Sequence, residues 1–159
     1  MQILAYNRII RKLPVSPDAF LRQLQDRLPP GSSEGTVPAL KGEVCIYLDG
    51  RWTAFKLPDE GAATSVDQLD VGLLTKHILE PLLQITDPRT DANIDFVGGI
   101  RGTEELERLV DEGRAELAFS MYPTSIEELL DVSDDGLLMP PKSTWFEPKL
   151  RSGLLVHLF

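Results

Sequence analysis

Apolar residues near the start of the chain are spaced as on one face of an α-helix. They recur at intervals of three and four residues, which is the pattern of an amphipathic helix: Phe20, Leu21, Leu24 and Leu28. The helix is expected to begin after Ser16, because serine is an effective N-cap and Pro17 suits the first helical position. Residues 29–31, Pro-Pro-Gly, are expected to end it.

Strand-like runs lie on both sides of this helix. Residues 2–10 are the first run, and residues 44–48 and 52–57 flank Asp49-Gly50. A two-residue Asp-Gly connection predicts a β-hairpin whose turn needs positive φ. Cys45 alternates with its strand neighbours, so we expect a packed thiol rather than a nucleophile.

Helical spacing returns in the middle of the chain, at Val71, Leu74, Ile78 and Leu82. A capping box beginning at Ser65 is expected to open this helix, with Asp70 as a second candidate cap. Pro81 is expected to end or bend it. His77 lies on the apolar face, which favours a hydrogen-bonded packing histidine over a catalytic one.

Strands and helices then alternate. Residues 94–97 predict a strand, a helix capped by Thr103 follows, and residues 116–122 predict the next strand. This order implies a right-handed parallel crossover. A further capping box at Thr124-Ser125 opens another helix.

The last predicted element is an antiparallel hairpin of residues 143–146 and 154–159. The whole pattern predicts an α+β or α/β fold, a two- to three-layer sandwich on a mixed β-sheet with a βαβ unit in its second half. We find no interior boundary and predict a single domain over residues 1–159. Because the chain is strand-like from its second residue, we expect it to be the C-terminal fragment of a longer protein.

Composition and charge narrow the functional classes. The chain has 42% hydrophobic and 26% charged residues, as in an ordinary globular domain. No apolar run approaches the ~20 residues of a membrane span, and no signal peptide is evident. The single cysteine fits a reducing compartment, so we expect the cytoplasm. A net charge of -9 argues against nucleic acid as a partner.

Cations and hydroxyls gather near the end of the chain, in residues 139–153. The preceding residues 101–135 are acidic, with eleven carboxylates against three arginines. Several donors combined with positive charge favour phosphate or carboxylate, so the candidate anion-binding residues are Arg101, Lys142, Ser143, Thr144, Lys149 and Arg151. The other interpretation is a proline-stiffened basic hairpin whose charges are merely solvated.

Two other segments contain residues that could form an anion-binding or metal-binding site. Residues 98–103 link a strand to a helix and present Arg101 between glycines, but they lack the third glycine of a dinucleotide motif and the lysine of a phosphate loop. Residues 87–91 are turn-forming, and solvated loop charges explain their carboxylates better than a metal or a base. The sequence contains no metal-ligand spacing and indicates no particular cofactor or catalytic residue.

Seven segments together resemble the C-terminal part of one prokaryotic family, which is catalogued as domain of unknown function 1015. The similarity runs in matching order over nearly the whole chain, in residues 6–8, 47–52, 79–83, 87–90, 94–102, 122–125 and 139–149. The resemblance implies longer relatives with an upstream Asp-Gly-His-His-Arg-type segment similar to the ParB-like fold. It also implies a genetic association with serine biosynthesis. This chain contains no such upstream segment.

These observations support two main functional hypotheses. The first is the metabolite- or phosphate-binding portion of a cytoplasmic protein, serving phosphoryl transfer linked to serine metabolism. The second is a non-catalytic regulatory or protein-interaction domain whose basic hairpin meets an acidic partner. The expected partners are a small anionic metabolite and the upstream portion of the same polypeptide, and the oligomeric state is left open. Nucleic-acid binding would rest only on the ParB-like association, and the charge opposes it.

Overall fold

The computed structural model describes residues 2–59 and 61–148. Six β-strands form one sheet in this part of the chain: β1 Gln2–Ile10, β2 Glu43–Leu48, β3 Arg51–Lys56, β4 Ile94–Gly98, β5 Leu117–Met121 and β6 Thr144–Glu147. The α-helices are α1 Pro17–Arg27, α2 Asp70–Leu74, α3 Glu80–Leu83, α4 Gly102–Asp111 and α5 Ile126–Asp134. A π-helical turn, Thr75–Leu79, joins α2 to α3, and a 3₁₀ turn, Gly99–Arg101, precedes α4.

The strand order is β3-β2-β5-β1-β4, and β6 pairs with the first half of β1. The structure confirms an α+β sandwich. Every pairing between the described strands is antiparallel, so the prediction of a mixed sheet is wrong. β4 and β5 both run antiparallel to β1, which lies between them. The predicted βαβ unit is therefore split, because the N-terminal strand occupies the position that a direct parallel crossover would need.

Helices cover both faces of the sheet. On one face, α1 and the 70–83 helical segment pack against the larger hydrophobic core, which includes Phe20, Leu24, Leu74, Ile78 and Phe119. On the other face, Leu106 and Leu109 of α4 pack against Ile9, Tyr47 and Val97. None of the helices in the described part of the chain is long and apolar enough to cross a membrane.

Local capping decides where the helices begin. The Ser16 hydroxyl accepts the Ala19 amide at 3.2 Å, as predicted for α1. The capping box of α5 consists of Ser125 and Glu128, so it begins one residue later than the predicted position at Thr124.

Three other predicted caps are wrong. Ser65 lies before the first turn of α2, and its buried hydroxyl has no hydrogen-bond partner among the described residues. Asp70, the second candidate, instead accepts the amide of Gly42 with both carboxylate oxygens at 3.0 Å. Thr103 does not cap α4, because the 3₁₀ turn carries the chain into that helix; its hydroxyl lies 2.8 Å from that of Thr36. Pro81 stands at the beginning of α3, which ends two residues later.

The structure confirms the first predicted hairpin. β2 and β3 pair from Glu43↔Lys56 to Leu48↔Arg51. Asp49 and Gly50 both have positive φ, 51° and 78°, as a type I′ turn requires. In the last predicted hairpin, β6 pairs with β1, and residues 154–159 lie outside the described residues.

The substitution Gly50→Val is expected to lower the free energy of unfolding by about 1–2 kcal/mol, because a side chain strains the left-handed backbone. Urea denaturation measures this loss. Gly35→Val is the matched control, since Gly35 has open space around its Cα and no positive φ. Equal stability of the two variants would contradict the role assigned to Gly50.

Candidate anion-binding site

Arg8 is a buried cation in β1. Its residue surface is only 4% exposed, and its guanidinium carbon lies 5.2 Å from the centre of the Phe96 ring. The guanidinium donates to the backbone carbonyl of Tyr6 and, at 2.9 Å, to that of Lys142. A guanidinium has more N–H groups than these two carbonyls occupy. No carboxylate in residues 2–59 and 61–148 forms an ion pair with it.

This burial has an energetic cost that a bound anion would offset. Removal from water lowers the pKa of Arg8 from its ordinary value to about 10, so the side chain stays protonated at neutral pH. Because the folded chain holds this proton less tightly than the unfolded chain, the burial costs stability at neutral pH, and the cost is lost only as pH rises above about 10. Buried cations are normally paired, and perturbed groups in a concavity are typical of functional sites.

Arg8 lines a cavity of about 360 Å³. The 70–83 helical segment forms one wall of this cavity and the loop 87–89 another. The π-helical turn contributes Thr75, Lys76 and Leu79 to the first wall, and such turns often occur at functional sites. Carboxylates also line the cavity: Asp67, Glu80 and Asp87. Asp87 is engaged by Arg89 at 3.0 Å, which agrees with the interpretation of residues 87–91 as a turn with loop charges.

A further side of the cavity is lined by Pro140 and Pro141, which form a turn with Lys142. Lys142 has a φ of 58°, which is uncommon for a residue other than glycine. The Ser143 hydroxyl donates to the Pro140 carbonyl at 2.6 Å and closes the turn. This conformation presents the Lys142 carbonyl to Arg8.

The structure brings together two of the residues predicted for anion binding. Arg101 and Lys142 line one concavity of about 300 Å³, together with Tyr6 and Trp145. The Arg101 side chain is 67% exposed, and the Lys142 ammonium lies 5.2 Å from the centre of the Tyr6 ring.

The other predicted residues have different positions. Ser143 is buried, and its hydroxyl is used within the turn. Thr144 lies in β6 opposite Ala5. Lys149 and Arg151 lie outside the described residues.

Arg8 is a site residue that was not predicted from the sequence, where it lies only within residues 6–8 of the family resemblance. The available signal was the alternation of β1, since Arg8 shares a face with the fully buried Ile10. A charged residue at such a position needs either a partner or a function.

Glycine in the 98–103 segment has a packing role. A Cβ placed on Gly98 would lie 2.5 Å from the Trp145 ring, so no side chain fits between β4 and this indole. This supports the interpretation of the segment as a closely packed strand-to-helix turn.

His77 and Asp70 make hydrogen bonds that stabilise the fold. The His77 Nε2 atom lies 2.7 Å from the Pro58 carbonyl, which confirms the packing histidine. Burial raises the pKa of Asp70 to about 6. This carboxylate holds the loop at Gly42 against α2. No group of three or more His, Cys, Asp or Glu side chains in the described ranges is placed to hold a metal ion.

Comparisons with known proteins give one structural similarity. No protein-family model and no curated protein matches this sequence. A solved structure of a mutant free serine kinase in complex with AMP resembles the fold with 12% sequence identity and a TM-score of 0.48. The match covers 91% of this chain and 53% of that chain, so this chain spans about half the length of that protein. Backbone similarity of this degree carries no information about a reaction.

Cys45 is expected to be chemically inert in the folded protein. The residue is fully buried, and burial raises the pKa of its thiol to about 11, so almost no thiolate is present at neutral pH. A thiol-specific disulfide reagent should therefore react only after denaturation. Because the chain has a single cysteine, the denatured protein should react with one equivalent of the reagent, which is the reference value for the native protein. Fast reaction of the native protein at neutral pH would contradict this expectation.

Proposed function

We propose that this chain is the metabolite- or phosphate-binding portion of a cytoplasmic protein, and that Arg8 is its principal anion-binding residue. The observation that carries the proposal is the burial of this cation, without a described carboxylate partner, at the wall of the 360 Å³ cavity. An anion there would accept charge-assisted hydrogen bonds in a poorly hydrated site, where they are strongest. Lys76 and Arg89 line the same walls, and Arg89 is paired there with Asp87 at 3.0 Å.

Phosphoryl transfer linked to serine metabolism is the chemistry that we propose for this site. Cations positioned around a phosphoryl group are the main requirement of such catalysis. The link to serine rests on the resemblance to domain of unknown function 1015, which stays a prediction. Membership of a longer polypeptide with a ParB-like upstream segment is proposed on the same basis.

A second candidate function is regulatory or protein-interaction binding without catalysis. Exposed apolar side chains on and after α5 favour it: Ile126 is 59% exposed, Leu130 57% and Leu138 90%. A contiguous exposed apolar patch is typical of a surface that contacts another protein segment. Under this alternative, Lys142, the cation of the 140–142 turn, would meet an acidic partner, and small anions would not stabilise the chain.

Inorganic phosphate is expected to raise the melting temperature of the chain at low ionic strength, because a ligand that binds only the native state stabilises it. Arg8→Met should weaken phosphate binding by about 2 kcal/mol or more. Arg8→Lys keeps the charge but loses the planar fork, so it should bind with intermediate affinity. Thermal melts in phosphate, matched against chloride of equal ionic strength, measure these differences.

Arg27→Met is the control for the phosphate experiment, since Arg27 is exposed on α1 away from the cavity. It should leave the phosphate response intact. The same phosphate response in Arg8→Met and in the unmodified chain would refute the assignment of Arg8. No response in any variant, Arg8→Lys included, would favour the regulatory alternative.

We expect no phosphoryl-transfer turnover by this chain alone, because the resemblance associates the complete relatives with an additional upstream segment. Incubation with serine and nucleoside or inorganic phosphate donors, followed by ³¹P NMR, measures turnover. Product formation at about 1 s⁻¹ or faster, in the range of ordinary enzymes, would contradict this expectation. Such a result would leave the anion site itself in place.

A further inference from the structure

The cavity at Arg8 continues into the concavity that holds Arg101 and Lys142. A middle concavity of about 250 Å³ joins them. It shares Arg89, Phe96 and Pro141 with the Arg8 cavity, and Phe96 and Lys142 with the far concavity. The three concavities adjoin one another at these shared residues, and together we call them the Phe96 groove.

The far end of the Phe96 groove is positively charged once its ion pairs are considered. Glu105 lines it, but Arg108 engages both oxygens of this carboxylate at 2.7 and 2.9 Å. Arg101 forms a longer ion pair with the same carboxylate, at 3.9 Å.

Asp95 is neutralised in a similar way, since Arg11 contacts it at 3.1 Å. Both carboxylates are thus paired with arginines that do not line the groove. With Glu105 and Asp95 held by arginines outside the groove, Arg101 and Lys142 are the cations that line this end in the described part of the chain.

The middle of the groove has both apolar and charged lining. Phe96, Pro88 and Pro141 contribute apolar surface, and charged residues line the rest of it: Arg89, Asp91, Asp95 and Lys142. In the register of the sheet, Phe96 is opposite Arg8 and Gly98 is opposite Tyr6. The two ends are thus offset by two residues along β4, which corresponds to about 7 Å.

Lys142 belongs to both ends of the groove. Its backbone carbonyl fixes the Arg8 guanidinium at 2.9 Å, while its ammonium lies over Tyr6 in the far concavity. The left-handed backbone of Lys142 allows its carbonyl to contact Arg8 while its ammonium lies over the Tyr6 ring.

We propose that the Phe96 groove binds an elongated organic dianion. One anionic group contacts Arg8, the other contacts Arg101 and Lys142, and an apolar connecting segment lies against Phe96. This inference rests on the proposed anion site at Arg8 and extends it to a class of ligand. Two linked anionic groups gain affinity over one, because the second group binds at a high effective concentration once the first is bound.

Calorimetric titration with α,ω-alkane bisphosphonates of increasing spacer length tests the proposal, with methylphosphonate as the single-headed reference. We expect at least about tenfold tighter binding of the best bisphosphonate than of methylphosphonate, with an optimum at one spacer length. Arg101→Gln combined with Lys142→Gln should remove most of this advantage. The glutamine at position 142 keeps the backbone carbonyl that holds Arg8, so methylphosphonate should lose much less affinity than the bisphosphonate.

The matched control is Arg27→Gln combined with Lys56→Gln, which removes the same charges from exposed positions outside the groove. It should preserve the bisphosphonate advantage. Methylphosphonate binding without any bisphosphonate advantage would overturn the dianion proposal and leave the Arg8 site standing. An advantage that survives in Arg101→Gln/Lys142→Gln would overturn it as well. Failure of both ligands to bind would overturn the proposed function together with the inference.

Discussion

The hydrogen bond from Arg8 to the Lys142 carbonyl is the interaction on which the candidate site depends. It joins the first strand of the sheet to a turn 134 positions later in the chain. The same guanidinium lies against Phe96 of β4, so a single side chain fixes three segments around one cavity. Because its charge has no described carboxylate partner, burying the guanidinium costs stability, and the anion proposed for this cavity would offset that cost.

The local elements of the fold were largely predictable because local chemistry determines them. Ser16 and Pro17 begin α1, and Asp49-Gly50 forms the hairpin turn, since neither depends on distant residues. The caps at Asp70 and Thr103 were wrong for a tertiary reason. The Asp70 carboxylate accepts the amide of Gly42, and the Thr103 hydroxyl lies 2.8 Å from that of Thr36. Strand order was not predictable either, because nothing local indicates that β1 lies between β4 and β5.

The candidate site could be predicted only in part. Arg101 and Lys142 were chosen from charge and glycine content, and they do share a concavity. Ser143 was chosen for its hydroxyl, which the structure uses to close the 140–142 turn. Arg8 was missed because its meaning depends on burial, and burial depends on the position of β1 inside the sheet. Without knowledge of the neighbouring strands, an arginine next to two isoleucines is expected to have a solvent-exposed side chain.

The central position of β1 also links binding to the stability of the whole fold. Its partners β4, β5 and β6 all come from the second half of the chain. The sheet around Arg8 therefore cannot assemble until distant segments meet, and the cavity cannot exist in a partly folded chain that lacks the 140–142 turn. A ligand bound there contacts both ends of the described chain at once. Its binding free energy consequently stabilises the complete sheet rather than one local element, which is why global unfolding is an informative measure of occupancy at this site.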